Sequence, residues 1–300
     1  MILAAGLGTR LRPHTLVRPK PLFPVLDRPL LLLIIEHLRR AGCESLVVNA
    51  YHLREQIAAA LQHQPGLVVQ MEERELGTGG GLRLARPLFA DAPVLVVNGD
   101  IVHDIDYRGV MAHHLAEGND ATLVLHDYPR FNNVLMGSDG NILAFGTGAG
   151  DERLLAFTGL QVINPGLLEL IPPDCFYHSI DWYRQLIAAG RRVRALVVTG
   201  HFWTDMGSPT DYLQLHAALL SGAAPGFRAD ILPAAPSSST PVFYGRDLRL
   251  GRDVSFRDWA VVGSNAVLGD RVSLRRCVVW DGVEIPAGTF AADTIFSATP

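Results

Sequence analysis

The sequence predicts an α/β protein built on a doubly wound, mostly parallel sheet, with a short repeat-built β-domain at its C-terminal end. Three observations carry this. Short Val-, Ile- and Leu-rich runs alternate with stretches of helical spacing up to Asp100, the runs are continuous in apolar character, and a six-residue period begins at Leu250. Continuous apolar runs are what strands covered on both faces by helices require. The 300 residues, 48% of them hydrophobic, are enough chain for one large domain and a smaller appendage.

Taken in order, a first strand is expected over 2–5, ending in the glycine-rich turn Ala5-Gly6-Leu7-Gly8-Thr9-Arg10. Helical spacing over 30–41 stops at Gly42, followed by a strand over 45–49, a helix over 53–61, a strand over 66–71, a helix over 80–88 and a strand over 93–98 that enters Gly99-Asp100. After Asp100 the pattern loosens, with strands expected over Ala121–His126, 157–163 and 193–198 and helices over 179–189 and 209–220. These elements predict a Rossmann-like domain over 1–222. Residues 223–247, rich in Ala, Pro and Ser, read as a linker or irregular crossing segment. Over 248–300, Leu250, Phe256, Val262, Leu268, Leu274 and Trp280 recur at one phase and Val254, Ala260, Ala266, Val272 and Val278 at another. A large residue followed by a small or β-branched one fills the triangular core of a left-handed hexapeptide β-helix. Six hexads make about two coils, too few to cap themselves, so the repeat is expected to lean on the first domain or on another copy of the chain.

Composition excludes several classes of function. Charged residues at 19% and a net charge of −4 argue against disorder and give no footprint for nucleic acid or an anionic membrane. The three cysteines, Cys43, Cys175 and Cys277, are far apart, which suggests neither a disulfide framework nor a thiolate metal site and fits a cytoplasmic protein. The run from Leu30 to Ile35 is far short of the roughly 20 residues that span a bilayer, and no targeting sequence is read. Of the 26 basic residues every one is arginine except Lys20. Arginine is a wide planar fork and lysine a compact point charge, so position 20 is marked as a place where the fork is not tolerated.

The strongest signal is Leu3-Ala4-Ala5-Gly6-Leu7-Gly8-Thr9-Arg10-Leu11-Arg12-Pro13, followed by Pro19-Lys20-Pro21. A strand running into Gly-X-Gly exposes consecutive backbone N–H groups and lets a phosphate chain approach the main chain, while Arg10 and Arg12 supply forked donors. The third glycine of a dinucleotide fingerprint and the Gly-Lys-Ser/Thr ending of a P-loop are both missing. The arrangement resembles the signature of the sugar-1-phosphate nucleotidyltransferases, Gly-X-Gly-Thr-Arg-Leu with a downstream Pro-Lys. It is similar to mannose-1-phosphate guanylyltransferases and N-acetylmuramate-1-phosphate uridylyltransferases, and the sole lysine falls at the family's lysine position. The resemblance implies that Ala5, Gly6, Gly8 and Thr9 hold a nucleoside triphosphate, that Arg10 contacts its outer phosphates, and that Lys20 contacts the reacting ones. Family members usually carry several residues before the strand that opens here with Met1, which implies either a short first strand or a start that is assigned late.

Two acidic positions complete the set. Asp100 lies just past an apolar strand, where open α/β sheets bind ligands, and Asp205 lies in Trp203-Thr204-Asp205-Met206-Gly207. Both look like the family's Mg²⁺ ligands, and magnesium takes one or two carboxylates plus substrate phosphates. Glu72 to Gly81 resembles the segment around the nucleobase, with Glu72, Gly77 and Thr78 as the contacts. A carboxylate accepts hydrogen bonds only, which favours the N–H donors of guanine over uracil. Asn98 and Gly159 resemble positions that border the sugar, and residues 144–148 stand where many hexose-specific members carry Glu-Lys-Pro. Asp127 to Asn133 is either a lid over the sugar or a packed loop, and Asp181, Trp182 and Tyr183 either reach the sugar or open a buried helix. The expected reaction joins an NTP to a sugar 1-phosphate, leaning toward GTP and mannose 1-phosphate with UTP close behind, in an enzyme that assembles as a homo-oligomer through its β-helix. Three rivals stay open: a catalytically silent ligand-sensing subunit of the same fold, transfer to a non-sugar phosphate acceptor, and an acyltransferase on the repeat. The last is disfavoured because no histidine lies within residues 250–288.

Overall fold

The computed structural model describes residues 1–146, 154–224 and 240–298, so part of the expected linker and residues 147–148 of the 144–148 segment lie outside the described residues. The chain forms two compact units, and the first 222 residues contribute to both.

The first unit comprises 1–6, 36–99 and 105–201. Its parallel core runs Leu67–Met71, Leu46–Ala50, Ile2–Leu3, Val94–Asn98, in that spatial order. Strand Leu154–Ile163 adds antiparallel to Val94–Asn98, Ala121–His126 pairs antiparallel with it, and Val193–Val197 closes that side in parallel. The apolar runs are buried at Ile2, Val48, Val96, Leu123 and Val162 as their composition predicts. Helices Arg54–Leu61, Gly77–Ala85, Tyr107–Glu117 and Ser179–Ala188 pack against the strands. Trp182 and Tyr183 are fully buried in the core of this unit, so the segment that opens at Ser179 is the first turn of a core helix. Helix Tyr107–Glu117 was not predicted; Asp106 caps it by accepting from the Arg108 N–H, and Gly118 ends it in the left-handed region.

The second unit comprises 7–35, 100–104 and 202–300. Its N-terminal part is three single 3₁₀ turns, Thr9–Leu11, His14–Leu16 and Lys20–Leu22, then a hairpin of Pro24–Val25 with Arg28–Pro29. Strand Ile101–His103 pairs antiparallel with Trp203–Asp205. Helix Pro209–Ser221 follows, capped by Ser208 and Gly222. The C-terminal part is a stack of parallel strands. Val242–Tyr244, inside the stretch read as linker, lies beside Ser255–Val262, which lies beside Ser273–Val279. A second, three-stranded sheet carries Arg249–Leu250, Val267–Leu268 and Glu284–Ile285.

Register explains the six-residue period. Phe256 pairs with Leu274, three hexads on, and Val267 sits beside Arg249 by the same interval. Positive-φ residues recur at equivalent places, at Asp247, Asn265 and Gly282, at Asp253, Arg271 and Gly288, and at Asp258, Arg276 and Asp293. Tight corners in the left-handed region account for the Asp, Asn and Gly content there. Past Arg276 the interval shortens by one residue, because Ala260 pairs with Cys277 and Val262 with Val279. Val279 therefore takes the interior place that the hexad phase predicts for Trp280, and the apolar core holds Cys277 and Val279 beside Val262, Leu268 and Leu274. Leu250, predicted as an interior residue, is 46% exposed. No helix among the described residues is long and apolar enough to cross a membrane.

Candidate active site

The second unit carries a buried cation between two carboxylates. Lys20 opens the turn Lys20–Leu22 between Pro19 and Pro21 and is 6% exposed. Its Nζ lies 2.5 Å from Asp100 Oδ2 and 3.3 Å from Asp205 Oδ1. The two aspartates meet because Asp205 pairs with Ile101 and the Met206 N–H donates to the Asp100 carbonyl. Arg10, mostly exposed, lies 3.8 Å from Asp205 Oδ2. Burial raises the Asp205 carboxyl above its ordinary range, against the pull of Lys20. Gly207 makes this geometry sterically feasible: a Cβ there would sit 2.4 Å from Asp205 Oδ2 and 3.0 Å from the Arg10 guanidinium. Gly8 adopts φ of +61°, and a Cβ on it would lie 2.8 Å from Thr15 Cγ2 and 3.4 Å from Lys20 Cβ. Thr15, buried and donating to the Gly8 carbonyl, was not singled out in the sequence; the signal for it is only a polar residue in an apolar turn. Thr9 is exposed beside it.

The donor chemistry of Asp100 and Asp205 fits a hard divalent cation. Both present carboxylate oxygens to one cationic point, and two carboxylates are the usual protein share of a magnesium site completed by phosphate. No cluster of three or more acidic, His or Cys groups suited to a metal occurs among the described residues.

The first unit carries the remaining predicted positions. A Cβ on Gly6 would meet nothing within 4 Å, so its backbone stands open, while Ala5 is half-buried before it. Behind this turn runs a buried polar chain: the Ala4 N–H donates to Asn49 Oδ1 at 2.8 Å, and Asn49 Nδ2 donates to Glu72 Oε1 at 2.7 Å. Glu72 is 1% exposed, its carboxyl is raised by burial, and its Oε2 completes no hydrogen bond. Gly81 admits this pair, since a Cβ there would lie 2.7 Å from Asn49 Nδ2 and 2.8 Å from Glu72 Oε1. The neighbouring glycines are used for packing. Gly79 and Gly80 donate their N–H groups to the Tyr177 carbonyl, and Thr78 Oγ1 accepts from the Ser179 N–H. These bonds start the helix at Gly77, three residues before the expected position, against the poor helix propensity of glycine. Gly77 itself has φ of +68°. Asn49, Tyr177 and Ser179 were missed because their partners are remote in sequence.

Asn98 is the half-buried last residue of its strand, opposite Leu3. Gly159 stands at φ of +79°, inside a register shift of strand Leu154–Ile163 between Phe157 and Gln161. In the mostly exposed loop 127–133, Tyr128 lies parallel to both His126 and Phe131. His114, bonded to Thr122 and Asn164, is structural.

The nucleotidyl transferase family model matches residues 1–222, which contain all of these positions. The chain belongs to that family. Among its nucleotidyl transferase relatives, UTP–glucose-1-phosphate uridylyltransferase of Synechocystis is 29% identical over 74% of this chain and 63% of its own length. A mannose-1-phosphate guanylyltransferase catalytic subunit beta of Drosophila pseudoobscura is 30% identical over 71% of this chain and 60% of its own. The chain thus spans a little under two thirds of these relatives. Mannose-1-phosphate guanylyltransferase of Mycobacterium tuberculosis is 28% identical over 96% of this chain and 81% of its own. Crystalline HddC of Yersinia pseudotuberculosis shares the fold, with a TM-score of 0.62 and 23% identity over 72% of this chain and 96% of that one.

Proposed function

We propose that this nucleotidyl transferase joins an NTP to a sugar 1-phosphate, releasing pyrophosphate. The observation that carries the reading is the buried ammonium of Lys20 held between Asp100 and Asp205. In the reaction an oxygen of the sugar phosphate forms a bond to the α-phosphorus, the bond from that phosphorus to the bridging oxygen breaks, and pyrophosphate leaves with the electron pair. Such transfers need positioning and charge neutralisation, and no protein nucleophile is required. Gly6 and Gly8 offer main-chain N–H groups to the triphosphate, with Ala5 and Thr9 flanking them. Lys20 places a compact charge against the reacting phosphates, and Arg10, exposed at the surface, holds the departing pyrophosphate. Asp100 and Asp205 would hold Mg²⁺, which when bound neutralises phosphate oxygens. They also fix Lys20, so that its charge is aimed before substrate arrives.

Glu72, Gly77 and Thr78 are assigned to the nucleobase side, with Asn98 and Gly159 beside the sugar. The guanylyltransferase relatives and an acceptor-only carboxylate at Glu72 favour GTP and mannose 1-phosphate; the uridylyltransferase relative keeps UTP second. The 18-residue register and three recurring left-handed corners support reading residues 248–298 as a left-handed hexapeptide β-helix, extended by Val242–Tyr244, through which copies of the chain assemble. The deciding experiment measures pyrophosphate release with magnesium for each of the four common NTPs against a panel of sugar 1-phosphates. Release that requires one NTP and one sugar phosphate is expected. Tight NTP binding with no release from any pair would replace this reading with that of a sensing subunit or a different acceptor.

A further inference from the structure

The Lys20 segment is gripped from the C-terminal repeat, far away in sequence but within the same compact unit. Two residues before Lys20, the Arg18 guanidinium donates to both carboxylate oxygens of Asp281, at 2.7 and 3.1 Å, and its Cζ stands 4.8 Å over the Trp280 ring. Three residues after Lys20, Phe23 is fully buried and meets the same indole edge-on at 4.7 Å between centroids. The indole N–H donates to the Tyr212 hydroxyl at 3.1 Å, and that hydroxyl donates to the Pro24 carbonyl. One indole therefore anchors the segment on both sides of Lys20, and Asp281 fixes the rotation of the arginine that borders it. Trp280 is available for this only because the repeat loses a residue after Arg276: Val279 fills the interior, and Trp280 points outward to Phe23 and Arg18. A regular hexad would have buried it inside the stack.

The geometry points to Trp280 and Asp281 as positioning residues for Lys20, acting through Arg18 and Phe23, so that the repeat helps to build the phosphate site of the enzyme proposed above. This inference rests on that reading for its catalytic consequence, but its structural half is testable without any turnover. Because Lys20 is the only lysine, protein made with lysine isotopically enriched at Cε alone gives one side-chain carbon resonance in an NMR spectrum. In the full-length chain that resonance is expected away from the free-lysine position, and to move toward it in Asp281→Asn and in Trp280→Phe. Asp258→Asn, which removes an Arg276 ion pair elsewhere in the repeat, is expected to leave it in place. A resonance unmoved by both Asp281→Asn and Trp280→Phe, or moved equally by Asp258→Asn, overturns the inference. Where the wild-type chain turns over, Asp281→Asn is expected to lower kcat ~10-fold with KM for the NTP nearly constant. The same substitution added to Lys20→Ala is expected to cost nothing further, since its effect passes through Lys20. An equal loss in both backgrounds would make Asp281 merely structural and overturn the positioning role. Absence of pyrophosphate release from the wild-type chain would instead count against the proposed reaction, leaving the resonance to decide the grip on Lys20.

Discussion

At position 20 the size of the cation matters more than its charge. Lys20 is enclosed by Asp100, Asp205 and the turn at Gly8, whose Cα hydrogen faces Lys20 Cβ across a gap that a methyl group would fill to 3.4 Å. A guanidinium there has to displace one carboxylate, so Lys20→Arg is expected to lower kcat by about 10²-fold although the charge is kept. Near-normal turnover would refute the argument. Asp205 makes the opposite trade. Its carboxyl is raised by burial, so the folded chain holds that proton more tightly than the unfolded chain does. The stabilising contribution of the protonated form is complete below the ordinary Asp value and is lost as pH rises through the raised one. At neutral pH the buried charge therefore opposes folding, and Asp205→Asn is expected to raise Tm while abolishing turnover, as calorimetry and pyrophosphate assays on one preparation would show. Gly207→Ala tests the packing between Arg10 and Asp205. Its methyl would meet the Asp205 carboxylate at 2.4 Å, so activity is expected to fall by about 10²-fold with only a small change in Tm. The lysine, the aspartates and the glycine turn were legible in the sequence because each chemistry is local to a short motif. Thr15, Asn49 and Ser179 were not, because their roles depend on partners brought in by tertiary pairing.

Helix Pro209–Ser221 supports the Lys20 segment through a histidine that must stay neutral. His216 is fully buried; its Nε2 accepts from the Leu26 N–H at 3.1 Å, and its Nδ1 donates to the Tyr212 carbonyl at 2.9 Å. A second ring proton would face the Leu26 N–H, and burial holds the imidazole down to about 4. The unfolded chain takes up that proton near 6.5 and the folded chain only near 4, so stability is intact above 6.5 and declines as pH falls through this window. The full loss amounts to about 3 kcal/mol. Urea midpoints of the wild type are expected to decline over that range, and those of His216→Gln, whose amide can accept and donate at the same places, to decline less. Parallel slopes for the two proteins would exclude His216 as the source. The helix itself was readable from its spacing, Ser208 and Gly222, whereas the histidine's task follows only from the hairpin it meets. The same contrast holds at helix Gly77–Ala85, whose expected start is residue 80 and which the Tyr177 carbonyl, accepting from the Gly79 and Gly80 N–H groups, carries back to Gly77.

At the scale of the whole chain, the sequence motifs and the compact units divide the protein differently. The family match ends at residue 222, which invites the view that 1–222 is a self-sufficient catalytic domain. Yet the unit that holds Lys20, Asp100 and Asp205 is assembled from 7–35, 100–104 and 202–300, three segments far apart in sequence. Within it Phe23 and Tyr212, both fully buried, pack on Trp280, and Asp27 accepts from Ser264 at 2.9 Å. Removing the repeat would expose these faces together. Burial of an indole of ~200 Å² alone is worth about 5 kcal/mol at ~25 cal/mol per Å², comparable with the whole stability of a modest domain. A chain ending at residue 224 is therefore expected to lose the cooperative folding of 7–35, to expose its Lys20 segment to protease, and to release no pyrophosphate. Proteolysis of the full and shortened chains side by side checks this. A shortened chain that resists cleavage between Arg10 and Arg28 and turns over normally would show that the repeat serves assembly alone. The six-residue period announced the repeat, but its attachment to the lysine could not be read from it. That attachment depends on the single residue dropped after Arg276, which turns Trp280 from the interior of the stack toward Phe23.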